Sequence, residues 1–285
     1  MGFFRKNKKQ AVSATETAPS KFDYRAVAAT DVGSVRKNNE DHLVFIRPFD
    51  VNIRNTYGCL AMVADGMGGH SNGEIASKMA ADIISRSYFD ASNKILESLK
   101  AAFEKANKAI FQKASRRPAL KGMGTTCTAV VLLNKQIYLG HVGDSRAYLL
   151  KKGQMIQLSS DHTYVQHLLD TGQITKEEML SHPERNVITK AMGTSAKIQA
   201  DFAQLQLQFE EGDKLLICSD GLYEYVKKAE LAQVVSSQSL NAASKTLIQL
   251  AKQRGGHDNI SVLIVETFQS SIDQSNRATQ KLNLS

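Results

Sequence analysis

The sequence predicts an α+β protein in which strand-forming and helix-forming segments are largely separated along the chain. Apolar residues recur at helical spacing over 73–89 and about 92–116, and two further helices are predicted at 229–236 and 240–254. Strand patterns precede the first helix pair and fill most of the stretch between the two pairs. At 285 residues with 42% hydrophobic side chains, the chain is long enough to bury a sizeable core.

The strands are predicted from short apolar or alternating runs that end at turn residues. In chain order they cover 22–30, 43–46, 59–64, 125–133, 136–141, 147–150, 205–209, 214–218 and 260–265. Asn134-Lys135 predicts a hairpin-like turn between two of them. The more polar stretch at about 159–195 interrupts the pattern, and we expect it to be an inserted flap with one short helix.

The net charge of +8 is concentrated outside the body of the chain. Residues 1–21 carry +4 and residues 268–285 carry +1, which leaves +3 for the rest. These two segments are polar, and we expect a disordered basic N-terminal tail and a polar C-terminal tail. The body shows neither a basic stripe nor aromatic residues alternating with basic ones, so nucleic acid is not an expected partner.

Nothing in the sequence predicts a transmembrane segment or a secretory signal, because no apolar run approaches ~18 residues. Phe3 and Phe4 beside basic residues allow weak contact of the N-terminal tail with an anionic membrane surface, although a solvated tail is the favoured interpretation. The three cysteines all lie in apolar runs. This indicates reduced core thiols and a cytoplasmic location.

The stretch 59–77 is the most informative part of the sequence. Its apolar strand ends abruptly at Asp65, and four glycines follow within and just beyond a short loop before the next helix, which begins near Glu74. Glycines let the backbone adopt positive φ angles or approach a ligand closely. A carboxylate beside such a loop can hold a metal ion or face a phosphate, while an ordinary polar turn fits the stretch equally well.

Five aspartates recur at the ends of apolar strands or in tight turns: Asp41, Asp65, Asp144, Asp220 and Asp258. Carboxylates that are buried together repel one another unless a cation lies between them. Oxygen ligands without cysteine or clustered histidine select Mg²⁺ or Mn²⁺ over Zn²⁺. Convergence of these residues would create a centre for two or three metal ions, whereas each one taken singly fits a turn or a cap.

Six short motifs occur along the chain in a definite order: Arg36-x-x-Asn39-Glu40-Asp41, Asp65-Gly66-Met67-Gly68-Gly69, Gly124-Thr125-Thr126, Gly143-Asp144-Ser145-Arg146, Ser219-Asp220-Gly221 and Asp258-Asn259. In order and spacing they resemble the motifs of the protein phosphatase 2C-like Ser/Thr phosphatases. The run Gly-Met-Gly-Gly-His is most similar to the bacterial branch. The resemblance covers about residues 22–267, which we therefore expect to be one catalytic domain that includes the flap.

The resemblance implies a four-layer αββα sandwich, in which two antiparallel sheets pack face to face between helix pairs. The metal ions are expected at one end of the sandwich. Asp65 resembles the carboxylate that bridges two metals, and the carbonyl of Gly66 resembles a further ligand. Asp220 and Asp258 resemble the other ligands of the first metal.

The remaining metal ligands are also implied by the resemblance. Glu40 resembles a ligand of the second metal, directly or through water, with Asp41 beside it. Asp144, together with Asp220, resembles the third-metal site of bacterial members. Because neighbouring strand residues point to opposite faces, Glu40 and Asp41 either bind a partner or precede the strand.

The resemblance further implies groups that act on the substrate. Arg36 resembles a phosphate clamp, since a planar guanidinium can bind two phosphate oxygens, and Asn259 resembles a residue that orients the substrate-binding site. Many eukaryotic members carry a histidine where this chain has Met67, which cannot donate a proton. His70 is a candidate general acid; a metal-bound water with a structural His70 is the alternative.

The implied activity is hydrolysis of phosphoserine and phosphothreonine in proteins by a hydroxide that bridges two Mn²⁺ or Mg²⁺ ions. A cognate Ser/Thr kinase and its substrates are the implied partners, and a monomer is expected. One alternative is a non-catalytic regulatory or scaffolding domain of the same fold, although every ligand position is filled. Another is an unrelated Mg²⁺-dependent nucleotide enzyme, although the chain lacks a G-x-x-x-x-G-K-[ST] loop.

Overall fold

The computed structural model describes residues 22–68, 72–91 and 94–269. Within these ranges the chain forms eleven β-strands and eight α-helices. The strands are β1 (Phe22–Asp31), β2 (Asp41–Ile46), β3 (Cys59–Met67), β4 (Gly124–Thr125), β5 (Cys127–Leu133), β6 (Gln136–Val142), β7 (Arg146–Lys151), β8 (Gln154–Gln157), β9 (Asp201–Gln208), β10 (Lys214–Cys218) and β11 (Ile260–Gln269). The helices are α1 (Val51–Tyr57), α2 (Asn72–Phe89), α3 (Ile95–Arg116), α4 (Tyr164–Asp170), α5 (Lys176–Ser181), α6 (Asp220–Tyr223), α7 (Lys228–Ser237) and α8 (Leu240–Gln253).

The strands form two antiparallel sheets. The first has the order β1-β11-β10-β7-β8, and the second has the order β2-β3-β5-β6-β9, with β4 paired to the end of β3. The predicted hairpin joins β5 to β6. Its two loop residues, Asn134 and Lys135, have φ angles of 48° and 69°, which is the left-handed conformation that a tight two-residue hairpin requires.

The two sheets pack face to face, and each is covered by helices on its outer face. In β3, Cys59, Ala61 and Val63 belong to the core between the sheets, whereas Leu60 and Met62 pack against α2 and α3. Successive strand side chains point to opposite faces, so a strand buried on both faces needs an uninterrupted apolar run. The same alternation in β11 joins the first sheet to α7 and α8. The predicted four-layer αββα sandwich is therefore confirmed.

The outer helices cover the sheets with the apolar stripes that the sequence predicts. In α3, Leu99, Phe103, Ala106 and Ile110 are fully buried at spacings of three or four residues. Gly140 on β6 allows the helix to approach closely, since a Cβ atom there would lie 2.9 Å from the Leu99 side chain. These residues form core and carry no chemistry.

Four elements of the structure are not predicted by the sequence analysis: α1, β8, α5 and α6. Asp50 caps α1 by accepting the backbone N–H groups of Asn52 and Ile53, yet α1 buries none of its side chains. A helix without a buried stripe lacks the periodicity that identifies helices in a sequence. Strand β3 also runs three residues beyond its predicted end, because β4 pairs with Gly66 and Met67.

The ends of the predicted domain can be compared only in part. Strand β11 continues to Gln269, two residues past the predicted boundary at 267, because β1 pairs with it along its whole length. The N-terminal tail 1–21 and residues 270–285 lie outside the described residues, so their disorder stays a prediction. Among the helices of the described ranges, none combines the length and apolar character needed to cross a bilayer.

Candidate metal centre

Asp41 and Asp65 stand directly opposite each other where β2 pairs with β3. The Ser219 hydroxyl donates to Oδ2 of Asp41 at 2.8 Å, and Asp220 follows Ser219 as the first residue of α6. This bond spans 178 residues of sequence and links the ends of strands from both sheets. Of the two adjacent acids, Glu40 precedes β2, whereas Asp41 is the first residue of the strand.

Asp65 lies in the field of four other carboxylates. Burial raises its pKa well above the ordinary value, and the charges of Asp41, Asp220, Asp144 and Asp258 raise the pKa further. Carboxylates perturb one another in this way when they share a site. The five aspartates that the sequence singled out are therefore gathered at one end of the sandwich.

The pKa values of other aspartates in the cluster are also raised. Burial raises the pKa of Asp220, and the nearby charges of Asp144 and Asp258 add to the effect. Burial, followed by the charge of Asp161, raises the pKa of Asp144 to about 7, and burial raises the pKa of Asp41 to about 6. Without a counter-ion, ionised carboxylates at these positions are costly at neutral pH.

Three oxygens of the cluster are buried and have no hydrogen-bond partner among the described residues: Oδ1 of Asp41, Oδ1 of Asp144 and Oδ1 of Asp220. Buried polar atoms are nearly always paired, so unpaired carboxylate oxygens side by side suit a cation. Across 22–68, 72–91 and 94–269, no group of three or more acidic, histidine or cysteine side chains forms a ready-made metal site. The oxygen-only donor set of the cluster nevertheless has the chemistry that hard divalent cations prefer.

Gly66 brings the end of β3 against the start of α2. A Cβ atom there would lie 2.7 Å from the carbonyl oxygen of Glu40 and closer still to the backbone of Gly73, so only glycine fits. The Gly66 N–H and the Ser77 hydroxyl donate to that Glu40 carbonyl at 3.1 and 2.5 Å. Burial raises the pKa of Glu40, while the charge of Arg36 opposes the shift. Two predicted metal ligands, Glu40 and Gly66, are thereby placed side by side.

Arg36 reaches the same end of the sandwich and pairs with Asp258, with 2.7 Å between Nη2 and Oδ2. The Arg36 side chain is 54% exposed, so its guanidinium remains accessible from solvent. A planar guanidinium in this position can bind two oxygens of a phosphate. The structure thus places the predicted phosphate clamp beside one of the predicted metal ligands.

Asn259 makes all its side-chain hydrogen bonds within the protein. Its Oδ1 accepts the Glu40 N–H at 2.8 Å, and its Nδ2 donates to the carbonyl oxygens of Val32 and Asn38 at 3.0 and 2.9 Å. This amide is 5% exposed. The geometry favours a residue that orients the loop before β2 over one that touches substrate.

The turn that carries Asp144 is held by His162 at the start of the flap. Gly143, with φ of 103°, exchanges two hydrogen bonds with this histidine: the His162 N–H donates to the Gly143 carbonyl at 2.7 Å, and the Gly143 N–H donates to Nδ1 at 3.2 Å. Nδ1 is therefore the acceptor, so Nε2 carries the proton and faces Asp201 at 3.2 Å. His162 thus positions the Asp144 turn.

A second contact clamps the flap to the same turn. Arg146 donates to both carboxylate oxygens of Asp161 at distances of 2.6 to 3.0 Å, and its guanidinium lies 3.6 Å from the centre of the Tyr223 ring. Sequence reasoning missed this pair and the role of His162. The local signal is only a Ser-Asp-His-Thr run before α4, and its partners lie 15 and 19 residues away.

Nine of the ten predicted site residues lie in the described ranges: Arg36, Glu40, Asp41, Asp65, Gly66, Asp144, Asp220, Asp258 and Asn259. The carboxylates among them converge, and the others surround them. His70 lies outside the described residues, so its role as a proton donor stays a prediction.

Comparisons with known proteins show which family this chain resembles in sequence and fold. A family profile described as protein phosphatase 2C matches residues 37–260. The serine/threonine phosphatase stp of Listeria innocua serovar 6a is 37% identical over 243 residues, which cover 83% of this chain and 93% of that protein. The crystal structure of the Mycobacterium tuberculosis serine/threonine phosphatase PstP/Ppp has a TM-score of 0.76 at 35% identity and covers 85% of this chain and 98% of that one.

A further solved structure bears on the metal centre. The catalytic domain of serine threonine protein phosphatase PstP, in complex with two manganese ions, has a TM-score of 0.72 at 33% identity. The match covers 86% of this chain and 99% of that chain. The similarity therefore extends over nearly the whole of the described sandwich.

Proposed function

Because this chain belongs to the protein phosphatase 2C family, we propose that it is a metal-dependent phosphatase acting on phosphoserine and phosphothreonine in proteins. The observation that carries the proposal is the gathering of four carboxylates around Asp65, with buried oxygens that find no hydrogen-bond partner within the described ranges. The exposed guanidinium of Arg36 stands beside them. Oxygen ligands for cations next to a cationic group for phosphate suit the hydrolysis of a phosphate ester.

We assign two metal sites, for Mn²⁺ or Mg²⁺, to this end of the sandwich. Asp65, the Gly66 carbonyl, Asp220 and Asp258 would hold the first ion, and Asp65 with Glu40 would hold the second. Such ions supply Lewis-acid polarisation of the phosphoryl group and lower the pKa of water. The manganese complex of the similar PstP catalytic domain supports the choice of metal.

A third ion would lie between Asp144 and Asp220. Oδ1 of each is buried and has no partner in the part of the chain that the structure describes, and the charge of Asp144 raises the pKa of Asp220. Asp41 fits a supporting role better than that of a direct ligand to the metal ions, because its Oδ2 already accepts a hydrogen bond from the Ser219 hydroxyl. Its unpartnered Oδ1 remains able to contact an ion or its water.

The chain's own residues bind and orient the phosphate. Arg36 is exposed enough to bind two phosphoryl oxygens, and its pairing with Asp258 holds the guanidinium beside the carboxylate cluster. Preorganised positive charge at this place stabilises the charge that develops on the equatorial oxygens. Asn259 holds the loop before β2 through the Glu40 N–H and so keeps Glu40 in place.

The departing serine or threonine alkoxide needs a proton. Met67, at the end of β3, has no proton to donate. We propose His70 as the general acid, with water as the alternative donor. His70→Gln should then lower kcat for a phosphopeptide, whose leaving group is a strong base, more than for p-nitrophenyl phosphate, whose leaving group needs no proton.

We infer that the substrates are proteins phosphorylated by a Ser/Thr kinase of the same cell. The relatives named serine/threonine phosphatase support this inference. We further propose that the chain works in the cytoplasm as a monomer. The three buried free cysteines are compatible with a reducing compartment.

The first experiment is hydrolysis of a phosphothreonine peptide in the presence of Mn²⁺, Mg²⁺ or EDTA. We expect turnover with a divalent cation and complete loss with EDTA, restored by excess Mn²⁺. Folded protein that is inactive with either metal would contradict the proposal and favour a non-catalytic regulatory domain of the same fold. Release of inorganic phosphate is the readout, and circular dichroism confirms the fold in each condition.

A further inference from the structure

The solvent-facing side of α3 and the turn after it carry a concentration of positive charge. Between 105 and 121 the chain has six basic residues and no acidic one: Lys105, Lys108, Lys113, Arg116, Arg117 and Lys121. Five of these residues are exposed, and Lys113 is half-buried. At 3.6 residues per turn, the four within the helix lie in an arc of about 140°. The expectation that the body of the chain has no basic stripe is therefore wrong for these six residues, the α3 basic surface.

The charges of the α3 basic surface are not neutralised by the described part of the protein. Within the described ranges, none of the six side chains forms a hydrogen bond or an ion pair. Like charges three residues apart on a helix, as at Lys105 and Lys108, repel each other. The helix dipole favours cations only in the last turn, which accounts for Lys113 and Arg116 but not for the other two. Helix stability therefore does not explain this surface, whereas a negatively charged partner does.

The C-terminal end of the α3 basic surface lies at the same end of the sandwich as the candidate metal centre. A 3₁₀ turn, Pro118–Leu120, leads from α3 towards β4. In β4 the Thr125 hydroxyl donates to the carbonyl oxygen of Asp65 at 2.8 Å. Thr125 is eight residues from Arg117, so the two are at most about 28 Å apart. A protein segment of similar length can connect a phosphate at the metal centre to this surface.

A cavity of about 300 Å³ lies within the surface, at the end nearest the metal centre. It is lined by Ala109, Gln112, Lys113, Arg116 and Arg117. Both guanidinium groups can bind a carboxylate through two parallel hydrogen bonds, and the ammonium adds a third cation. Among the described residues that line the cavity, none is acidic. The chemistry of the cavity thus selects an anionic group.

The side chains around these cations favour an acidic protein segment over other polyanions. Single-stranded nucleic acid is bound by basic residues together with aromatic side chains on which bases stack. A helix that binds a membrane inserts large apolar side chains. None of the exposed large hydrophobic residues in the described ranges falls between 105 and 121, so both features are missing there. An acidic protein segment needs only complementary charge.

We propose that the α3 basic surface docks a segment of the phosphoprotein substrate that is rich in aspartate and glutamate and lies apart from the phosphorylated residue. The proposal rests on the proposed function, because it gives the same substrate a second point of contact. Docking stabilises the bound substrate and the transition state equally. It therefore lowers KM and leaves kcat unchanged.

Extended phosphothreonine peptides test the docking directly. A glycine-serine linker of about ten residues joins the phosphothreonine sequence to a block of six glutamates or six glutamines, placed on either side in separate peptides. With excess Mn²⁺ at low salt, we expect the glutamate block on one side to raise kcat/KM about tenfold over glutamine, through KM. The difference should largely disappear at ~0.5 M NaCl, where charges are screened. Equal KM values at low salt in both placements would overturn the proposal.

Variants locate the effect on α3. We expect the glutamate-to-glutamine ratio of kcat/KM to fall towards one in Lys105→Glu/Lys108→Glu and in Arg116→Gln/Arg117→Gln. A ratio taken within each variant cancels any general change in activity. A ratio that persists in both variants would refute the assignment.

The matched control places the same change of net charge on the opposite helical layer. Lys228→Glu/Lys245→Glu alters exposed residues of α7 and α8, which cover the other sheet. We expect this variant to keep the wild-type ratio. A fall as large as in Lys105→Glu/Lys108→Glu would assign the effect to the overall charge of the protein and overturn the proposal.

Two further probes distinguish the ways in which the proposal can fail. If p-nitrophenyl phosphate is hydrolysed while the two peptides have equal KM values, only the docking assignment is overturned. Folded protein that hydrolyses neither this ester nor any peptide with Mn²⁺ overturns the proposed function as well. Fluorescence anisotropy with a single-stranded RNA tests the competing polyanion. RNA binding that is lost in both α3 variants, together with a peptide ratio of one, would assign the surface to nucleic acid instead.

Discussion

Arg36 and Asp258 are joined by an ion pair with 2.7 Å between Nη2 and Oδ2, at the rim of a cluster of carboxylates. Their side chains are 54% and 36% exposed, so solvent screens the attraction and the pair adds little to stability. In the proposed function, each member of this ion pair also has another partner that competes for it. A phosphate would bind the guanidinium, and a metal ion would bind the carboxylate.

Arg36→Lys should lower kcat/KM for a phosphothreonine peptide about tenfold or more, because an ammonium offers a point charge in place of a two-pronged donor. The free energy of unfolding should change by less than about 1 kcal/mol. Steady-state kinetics and urea unfolding measure both effects. Arg25→Lys, which alters an exposed pair with Glu266 on β1 and β11, is the matched control. An unchanged kcat/KM in Arg36→Lys would show that this guanidinium does not bind the phosphate.

Asp220→Asn and Asp65→Asn should each abolish hydrolysis, with a loss of at least about 10²-fold, and leave the fold intact. Each change removes an ionised oxygen and relieves repulsion among the carboxylates, so the metal-free protein should not lose stability. Added Mn²⁺ should raise the melting temperature of the wild-type protein more than that of either variant. Folded, fully active Asp220→Asn protein would remove Asp220 from the metal centre.

Asp144→Ala should weaken turnover while two metal ions remain bound, because Asp144 belongs only to the proposed third site. Elemental analysis after desalting counts the ions, and phosphopeptide hydrolysis gives the turnover. One bound ion, or none, in this variant would show that Asp144 is needed for the first two sites.

His162→Ala should destabilise the protein by about 1–3 kcal/mol, because the buried N–H of Gly143 loses its acceptor. His162→Asn can place a side-chain oxygen near the position of Nδ1, so its loss should be smaller. Urea unfolding of both variants in EDTA gives the comparison. Equal losses would indicate that packing of the ring, rather than the hydrogen bond to Gly143, accounts for the effect.

His141 should make the protein less stable in mild acid. Its Nδ1 is hydrogen-bonded to the Thr128 hydroxyl at 2.9 Å, and its Nε2 is buried with no partner among the residues described. Burial lowers the pKa of His141 to about 4. The unfolded chain, with a histidine pKa near ~6.5, binds the proton more readily, so stability is lost as pH falls from about 6.5 towards 4.

At pH 5.5 this histidine should lower the free energy of unfolding by about 1.4 kcal/mol relative to pH 7.5. His141→Gln should remove that part of the pH dependence, whereas His167→Gln, at an exposed position of α4, serves as the control. Urea unfolding at the two pH values in EDTA provides the measurement. Carboxylate contributions are common to all three proteins and cancel in the comparison. An identical pH dependence in wild-type and His141→Gln protein would contradict the prediction.

Features that depend on a local pattern can be predicted from the amino-acid sequence. Uninterrupted apolar runs such as 59–64 predict strands buried on both faces, and the stripe in α3 predicts a helix packed on a sheet. The ordered motifs around Asp65, Asp144 and Asp220 resemble those of the protein phosphatase 2C family, and that resemblance implies the four-layer sandwich. These signals are readable because the period of a strand or helix and the residues of a tight turn are contained within a few neighbouring positions.

Which distant residues contact one another cannot be predicted from local patterns. The packing of the two sheets and the flap brings these residues together. It produces the hydrogen bond from Ser219 to Asp41, the hydrogen bond between Gly143 and His162, and the cavity beside Leu180. Apolar periodicity does not predict α5, because the helix buries none of its side chains, and its local signal is limited to the capping box of Thr175 and Glu178. Contacts between elements far apart in sequence arise when whole layers pack together. The sequence pattern predicts the helices and strands of each layer, but it does not predict which residues of different layers touch.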